Sequence, residues 1–360
     1  CAEAILPFSA IIQRFKKLGG IYMRKKLMAA LLTLTLTAAC IAGCGNNSSE
    51  TPADAPAEDS AAAPEAEADS GEPYIAMIAL GFSHQFWQAV KQGAEQAAAD
   101  YNVRISFEGP ETETMVDKQV DMLKTALGNN PIAVCMAAID TESVAGILQE
   151  AKGNGVKVVG FDAGVGEAEA DAKCTTDSIA AGAIAAEHAA ELLGGKGKVA
   201  VIGYSQTTID SVQRNKGFID KLKNDYPEIE IVDEQFGDGD HLKSAEIAKA
   251  MIQANPDLNL IFANNEGSCV GAYNGLKEAN KLEDVMLIGF DSSAAMKEAI
   301  RNGEIAGAIT QDPIGMGYKS IEAAVKLANG EEVEDFIDTG CYWYDASNMD
   351  DENIAPLLYD

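Results

Sequence analysis

The stretch "VKVVGFD" (residues 156–162) runs through β-branched and other apolar residues and stops on an aspartate; "VMLIGFD" (285–291) repeats it later in the chain. A short, continuously apolar run bounded by turn residues reads as a strand buried on both faces, as in a parallel sheet covered by helices. The same kind of run occurs at 74–80, 103–109 and 132–138, and again at 198–204, 229–236 and 258–264. Segments of helical period separate them, at 85–101, 113–128, 142–152, 178–194, 209–225, 241–254 and 268–280. Alternating strands and helices imply right-handed βαβ units. Two sets of about four such strands predict an α/β protein made of two doubly wound parallel-sheet lobes, since one sheet of that size is disfavoured. The helix ends agree: Asp140, Thr141, Asp291 and Ser292 are N-cap types, and the glycines at 194–195 are C-cap types.

In open α/β sheets ligands lie beyond the carboxyl ends of the strands. Asp162 and Asp291 stand on that edge, one in each half. Helix capping would explain either alone, but other polar and aromatic residues fall on the same edge. "GFSHQFWQAVKQG" (81–93) follows the first strand and brings His84, Phe86 and Trp87 to the start of a helix. Two adjacent aromatics there are expected to point in different directions, one of them into the cleft, where a flat ring matches the C–H face of a sugar. His84 has no nucleophile or paired base beside it, so a hydrogen-bonding role is expected rather than catalysis. Asp210 and Arg214 are four apart and share a helix face, either as an exposed ion pair or as a fork that donates to and accepts from hydroxyls. Asn265 in "FANNEG" and Gln311 in "AITQDP" end strands, and their amides both donate and accept.

Composition narrows the partners. The chain has 360 residues and a net charge of −29, so no basic footprint exists for nucleic acid. From Met23, a basic cluster (Arg24, Lys25, Lys26), an apolar run and "IAGC" have the layout of an export signal over 23–43. "IAGC" resembles a bacterial lipobox, which implies lipidation of Cys44. Residues 1–22, which start on Cys1, are expected to be non-native upstream read-through. Residues 44–73, rich in Ala, Pro, Ser and acids, form an expected disordered tether, because such a segment cannot bury enough surface to offset its ordering entropy. Cys135, Cys174, Cys269 and Cys341 are widely spaced with no CxxC, so no metal site is expected and a disulfide pair cannot be chosen.

Taken in order, "FSHQFWQAVKQGA", "VVGFD", "DSVQRNKGF", "IFANNE", "LIGFDSS" and "ITQDPIGMG" resemble the periplasmic sugar-binding proteins of ABC importers, in the ribose- and galactose-binding branch with the type I fold. The resemblance runs from about Tyr74 to Asp345. It implies a ligand pocket made of His84, Phe86, Trp87, Asp162, Asp210, Arg214, Asn265, Asp291 and Gln311. It implies lobe I from 74–176 plus 312–338, lobe II from 177–311 plus 339–360, and a hinge near Thr176, Gln311 and Thr339. Ala163 stands where ribose binders carry an arginine, and Gly239 about where they place an aromatic, so a hexose, another pentose or a polyol fits as well as ribose. Three acids against one arginine are expected to reject sugar phosphates and sugar acids. The expected protein is a monomer without cofactor or catalytic residues. It delivers a neutral sugar or polyol to the transmembrane subunits of an ABC permease and touches the membrane only through its lipid. The alternatives are a sensor presenting the sugar to a chemoreceptor or kinase, with the same pocket, and a glycosidase using carboxylates across the cleft.

Overall fold

A computed structural model describes residues 71–359. The segments 1–22 and 23–43, Cys44 and all but the end of the tether lie outside the described residues. The first sheet contains β1 (Tyr74–Ile78), β2 (Arg104–Glu108), β3 (Ala133–Met136), β4 (Lys157–Phe161), β5 (Ala172–Thr175) and β11 (Phe336–Asp338), in the order β11-β5-β4-β3-β1-β2, all parallel. The second contains β6 (Gly197–Gly203), β7 (Ile229–Phe236), β8 (Leu260–Ala263), β9 (Met286–Phe290), β10 (Gly307–Gln311) and β12 (Cys341–Tyr344), in the order β12-β10-β9-β8-β6-β7. Only β12 among these runs antiparallel to its neighbour.

Each sheet therefore has six strands rather than about four. The four additional ones are short: β11 has three residues, β5 and β12 have four, and β10, which ends on Gln311, has five. They pair at or toward one side of each sheet, where a long apolar run is not required. The central strands are apolar throughout because helices cover both faces. β1 and β3 are buried at every residue, whereas the edge strand β2 is half-exposed.

Helices α1 (Phe86–Tyr101), α2 (Val116–Gly128), α3 (Thr141–Gly153) and α9 (Pro313–Ala328) cover the first sheet. Helices α4 (Ser178–Leu193), α5 (Ile209–Asp225), α6 (His241–Ala254), α7 (Glu266–Glu278) and α8 (Ala294–Arg301) cover the second. Asp140 caps α3 by accepting from the Ser143 amide at 2.7 Å, and Gly194 closes α4 in the left-handed region at φ 63°. The cap of α8 is Ser293, not Asp291 or Ser292.

Glycines fix the helices that carry the site. A Cβ on Gly93 of α1 would lie 1.9 Å from the Ile314 carbonyl of α9, and one on Gly317 would lie 2.0 Å from the Val90 carbonyl of α1. In the second lobe, Gly217 of α5 and Gly182 of α4 stand in the same relation to Ile179 and Arg214, each at 2.1 Å. Two glycines per pair let the helix backbones touch, and they set the depth at which α1 and α5 sit.

The chain passes between the sheets three times: from β5 into α4, from β10 into α9, and from β11 into β12. The first and third passages are tied together. Thr176 Oγ1 donates to the Gly340 carbonyl at 3.2 Å, and the Thr339 amide donates to the Thr175 carbonyl at 3.0 Å. The C-terminal stretch packs Met349 and Ile354 into the core of the second lobe, and then sends Tyr359 into the core of the first. Cys135, Cys174, Cys269 and Cys341 are free thiols, the first three fully buried.

Candidate functional site

Asp162 and Asp291 follow β4 and β9 directly, both in the left-handed backbone region, at φ 52° and 74°. That conformation costs an L-residue about 1–2 kcal/mol, and here it ends the strand abruptly at the carboxyl edge. Neither aspartate caps a helix. The Asp291 carboxylate accepts from Gln311 Nε2 at 2.7 Å and from the Glu266 amide at 3.1 Å. No hydrogen bond reaches the Asp162 carboxylate from any described residue; Arg214 Nη2 stands 4.0 Å away.

The phenylalanine before each aspartate supports a different site residue. Phe161 meets the Trp87 ring edge-on at 6.3 Å, and the Arg214 guanidinium lies 3.9 Å above the Phe290 ring. Arg214 is held further by Asp210 at 3.2 Å and by the Asn264 carbonyl at 3.1 Å. Tyr204 donates to the other oxygen of Asp210 at 2.5 Å. Asp210 and Arg214 are thus a buried pair, not an exposed one.

All nine residues expected from the sequence line one cavity between the two sheets: His84, Phe86, Trp87, Asp162, Asp210, Arg214, Asn265, Asp291 and Gln311. Each is less than 10 % exposed, so the lobes stand closed. Asn265 also caps α7, accepting from the Ser268 amide at 2.8 Å. Phe86 and Trp87 do not divide between core and cleft as expected. They pack edge to face at 5.0 Å, both belong to the core of the first lobe, and both border the cavity. The core reaches the cleft at the end of α1, so a residue there can serve both.

Leu80, Glu113, Tyr204 and Glu266 complete the lining and were not expected. Glu113 follows β2, Tyr204 follows β6 and Glu266 adjoins Asn265, so all three obey the strand-edge rule that found the others. Glu113 accepts from Trp87 Nε1 at 2.9 Å, and its same oxygen lies 3.5 Å from His84 Nε2. The acids number five, not three. Gly239 borders His84 and Glu113: a Cβ there would lie 3.3 Å from His84 Nε2 and from Glu113 Oε2. Imidazole and carboxylate from the first lobe therefore fill the wall beside Gly239.

Electrostatics in the chamber are dominated by burial. Burial, then Asp210, push the Asp162 carboxyl well above the usual carboxylate range against the pull of Arg214. Burial also raises Asp291, and it lifts Glu266 to about 7. For Arg214 burial works against the charge, but Asp210, Asp291 and Asp162 outweigh it and hold the pKa above the ordinary guanidinium value. Three buried polar atoms of the lining have no hydrogen-bond partner among the described residues: His84 Nδ1, Arg214 Nε and Gln311 Oε1. No cluster of metal-ligating residues occurs among the described residues.

Two parallel-sheet lobes closed on a small polar chamber at their carboxyl edges define a bilobal solute-binding protein. The chain belongs to the family of the periplasmic binding protein domain, whose model matches residues 75–332. That family consists of binding proteins of ABC transporters rather than enzymes. The chain is 25 % identical over 264 residues to the ribose import binding protein of Escherichia coli, covering 72 % of this chain and 86 % of that one. Among solved structures it is similar to a carbohydrate transporter solute-binding protein of Agrobacterium radiobacter in complex with D-arabinose. The TM-score is 0.76 and the identity 29 %, over 80 % of this chain and 99 % of that chain. An ABC transporter solute-binding protein of Agrobacterium vitis bound with α-D-tagatopyranose gives a TM-score of 0.77 at 28 % identity, over 80 % and 100 % of the two chains.

Proposed function

We propose that this protein captures one neutral monosaccharide or polyol between its lobes and presents it to the transmembrane subunits of an ABC permease. The reading rests on the unpartnered atoms of the chamber. Arg214 Nε is donor-only, Gln311 Oε1 is acceptor-only, and the Asp162 carboxylate takes no hydrogen bond from the described residues. A buried polar group left unpaired costs about 1–3 kcal/mol. A molecule carrying several hydroxyls donates to the acceptors and accepts from the donor at once, so one neutral guest satisfies all of them. Phe86 and Trp87 supply apolar faces for the ring carbons. D-Arabinose and tagatose, bound in the similar structures, are neutral monosaccharides. Five acids around one arginine disfavour sugar phosphates and sugar acids, whose charge would be buried against like charge.

Residues from both lobes supply the partners, so ligand favours the closed form by its differential affinity for it. Micromolar binding corresponds to about −8 kcal/mol, within reach of several such hydrogen bonds and one aromatic contact. A thermal-shift screen of neutral monosaccharides and polyols tests the reading, with sugar phosphates and uronic acids as controls. At least one neutral compound should raise Tm, since a ligand of the native state stabilises by mass action, and the anions should not. Stabilisation by anions alone removes the proposal. Cys44 as a lipidated first residue, holding the lobes outside the cytoplasmic membrane through the 44–73 tether, belongs to the same proposal. Fatty-acid labelling of the expressed protein, lost in Cys44→Ala, is the result expected of it; equal labelling in both rejects it.

A further inference from the structure

The first turn of α1, which carries Phe86 and Trp87, is completed by residues of the other lobe. An α-helix leaves its first amides without intrahelical acceptors, and the N-cap residue Gln85 offers α1 no side-chain cap. The acceptors come from Glu266, the first residue of α7. Its Oε1 accepts from the Gln85 amide and its Oε2 from the Phe86 amide, each at 3.4 Å. The Gln85 side chain returns the contact, Oε1 accepting from the amide of Ala294, the first residue of α8, at 3.1 Å. Tyr359 is tethered to the second lobe: its hydroxyl accepts from the Ser292 amide at 3.1 Å, while Thr310 Oγ1 donates to the Leu357 carbonyl at 3.3 Å. Its ring meets Phe86 edge-on at 6.1 Å.

We propose that Glu266, Tyr359 and the amide of Ala294 form a socket on the second lobe that receives the Gln85–Phe86 turn, with Glu266 and Tyr359 as positioning residues for ligand capture. The inference rests on the closure reading above. The socket acts on both halves of the chamber. Through its backbone amide Glu266 orients Asp291, and through its carboxylate it holds the turn that bears the two aromatics. A carboxylate at a helix N-terminus is also favoured by the helix dipole. None of these contacts runs through the ligand, so closure has a protein–protein component fixed by the sequence. Loosening the socket lets the lobes part sooner while first encounter with ligand stays unaffected. Affinity then changes through dissociation, as most interface changes do.

Stopped-flow kinetics on the full chain separates the rates, with Trp87 fluorescence as signal and a sugar found in the thermal screen as ligand. Gln85→Ala and Tyr359→Ala should each raise koff about fivefold to twentyfold and leave kon within about twofold. Glu266→Gln, which keeps one acceptor, should raise koff less than Glu266→Ala. The second arm needs no sugar: amide hydrogen exchange at Gln85 and Phe86 in the unliganded protein should speed up about tenfold in Glu266→Ala. Unchanged koff in both Gln85→Ala and Tyr359→Ala, or unchanged exchange in Glu266→Ala, overturns the socket. If no sugar or polyol binds the wild type, the capture reading falls, and the exchange result still decides whether α1 is capped across the cleft.

Discussion

Asp162 and Arg214 face each other across the cleft at 4.0 Å, the carboxylate from the end of β4 in one lobe and the guanidinium from α5 in the other. The nearer partner of Arg214 is Asp210 at 3.2 Å, so the pair leaves Asp162 the more weakly engaged of the two carboxylates. Arg214→Ala, or Asp162→Ala, should weaken sugar binding by a hundredfold or more in calorimetry, corresponding to about 3 kcal/mol. Arg214→Lys should not restore it, because lysine lacks the planar fork that reaches Asp210 and the Asn264 carbonyl together. Full affinity in Asp162→Ala and Arg214→Ala would remove the site assignment.

Trp87 joins the apolar and polar halves of the chamber through its bond to Glu113. Trp87→Phe keeps an aromatic face but leaves a buried carboxylate oxygen without its donor. Affinity should fall about tenfold, near 1.4 kcal/mol, while the thermal transition stays cooperative. An unchanged Kd would show that Glu113 needs no donor from the indole.

Gly217 tests how α5 is seated. An added methyl would stand 2.1 Å from the Ile179 carbonyl, and backbone cannot yield as a flexible side chain can. Gly217→Ala should destabilise by about 1–3 kcal/mol despite the better helix propensity of alanine. Denaturant unfolding reads the change; a stabilised variant would mean that α4 and α5 are free to move apart.

The acids of the chamber give stability a pH dependence opposite to that of surface ion pairs. A carboxyl whose folded pKa exceeds its unfolded one keeps its proton longer in the native state. Its contribution is full below the unfolded value and is lost as pH rises through the folded one. For Glu266 the window runs from 4.5 to about 7. His188 and His241, lowered by burial from 6.5, act in the other sense, and because a group is only half titrated at its pKa they still oppose Glu266 for about a pH unit above that value. The Glu266 part of the change alone should lower the Tm of the unliganded protein by roughly 2 °C between pH 6.5 and 8. Glu266→Gln should remove that part of the slope; Tm values of wild type and variant that change in parallel over this range would contradict the burial of Glu266.

Much of the site was legible because the strand-edge rule is local. Asp162, Asp291, Asn265 and Gln311 end or follow apolar runs, and Asp210 and Arg214 sit one helical turn apart after another. Glu113 and Tyr204 obey the same rule, but the sequence offers many polar residues at strand ends and no local reason to prefer these two. The short strands β5, β11 and β12 escaped because, unlike the equally short β3 and β8, they are not continuously buried apolar runs, and their pairing is decided by neighbours far away in the chain.

The sequence by itself determined the alternation of strand and helix, the two-lobed architecture and the residues on each carboxyl edge, since apolar runs, caps and turn residues act over a few positions. Only the tertiary structure decided that Asp162 meets Arg214, that five acids share one chamber, and that Glu266 caps a helix of the opposite lobe. Those relationships depend on how two separately packed sheets are set against each other by three chain crossings and glycine-seated helices, and no short stretch of chain contains that geometry.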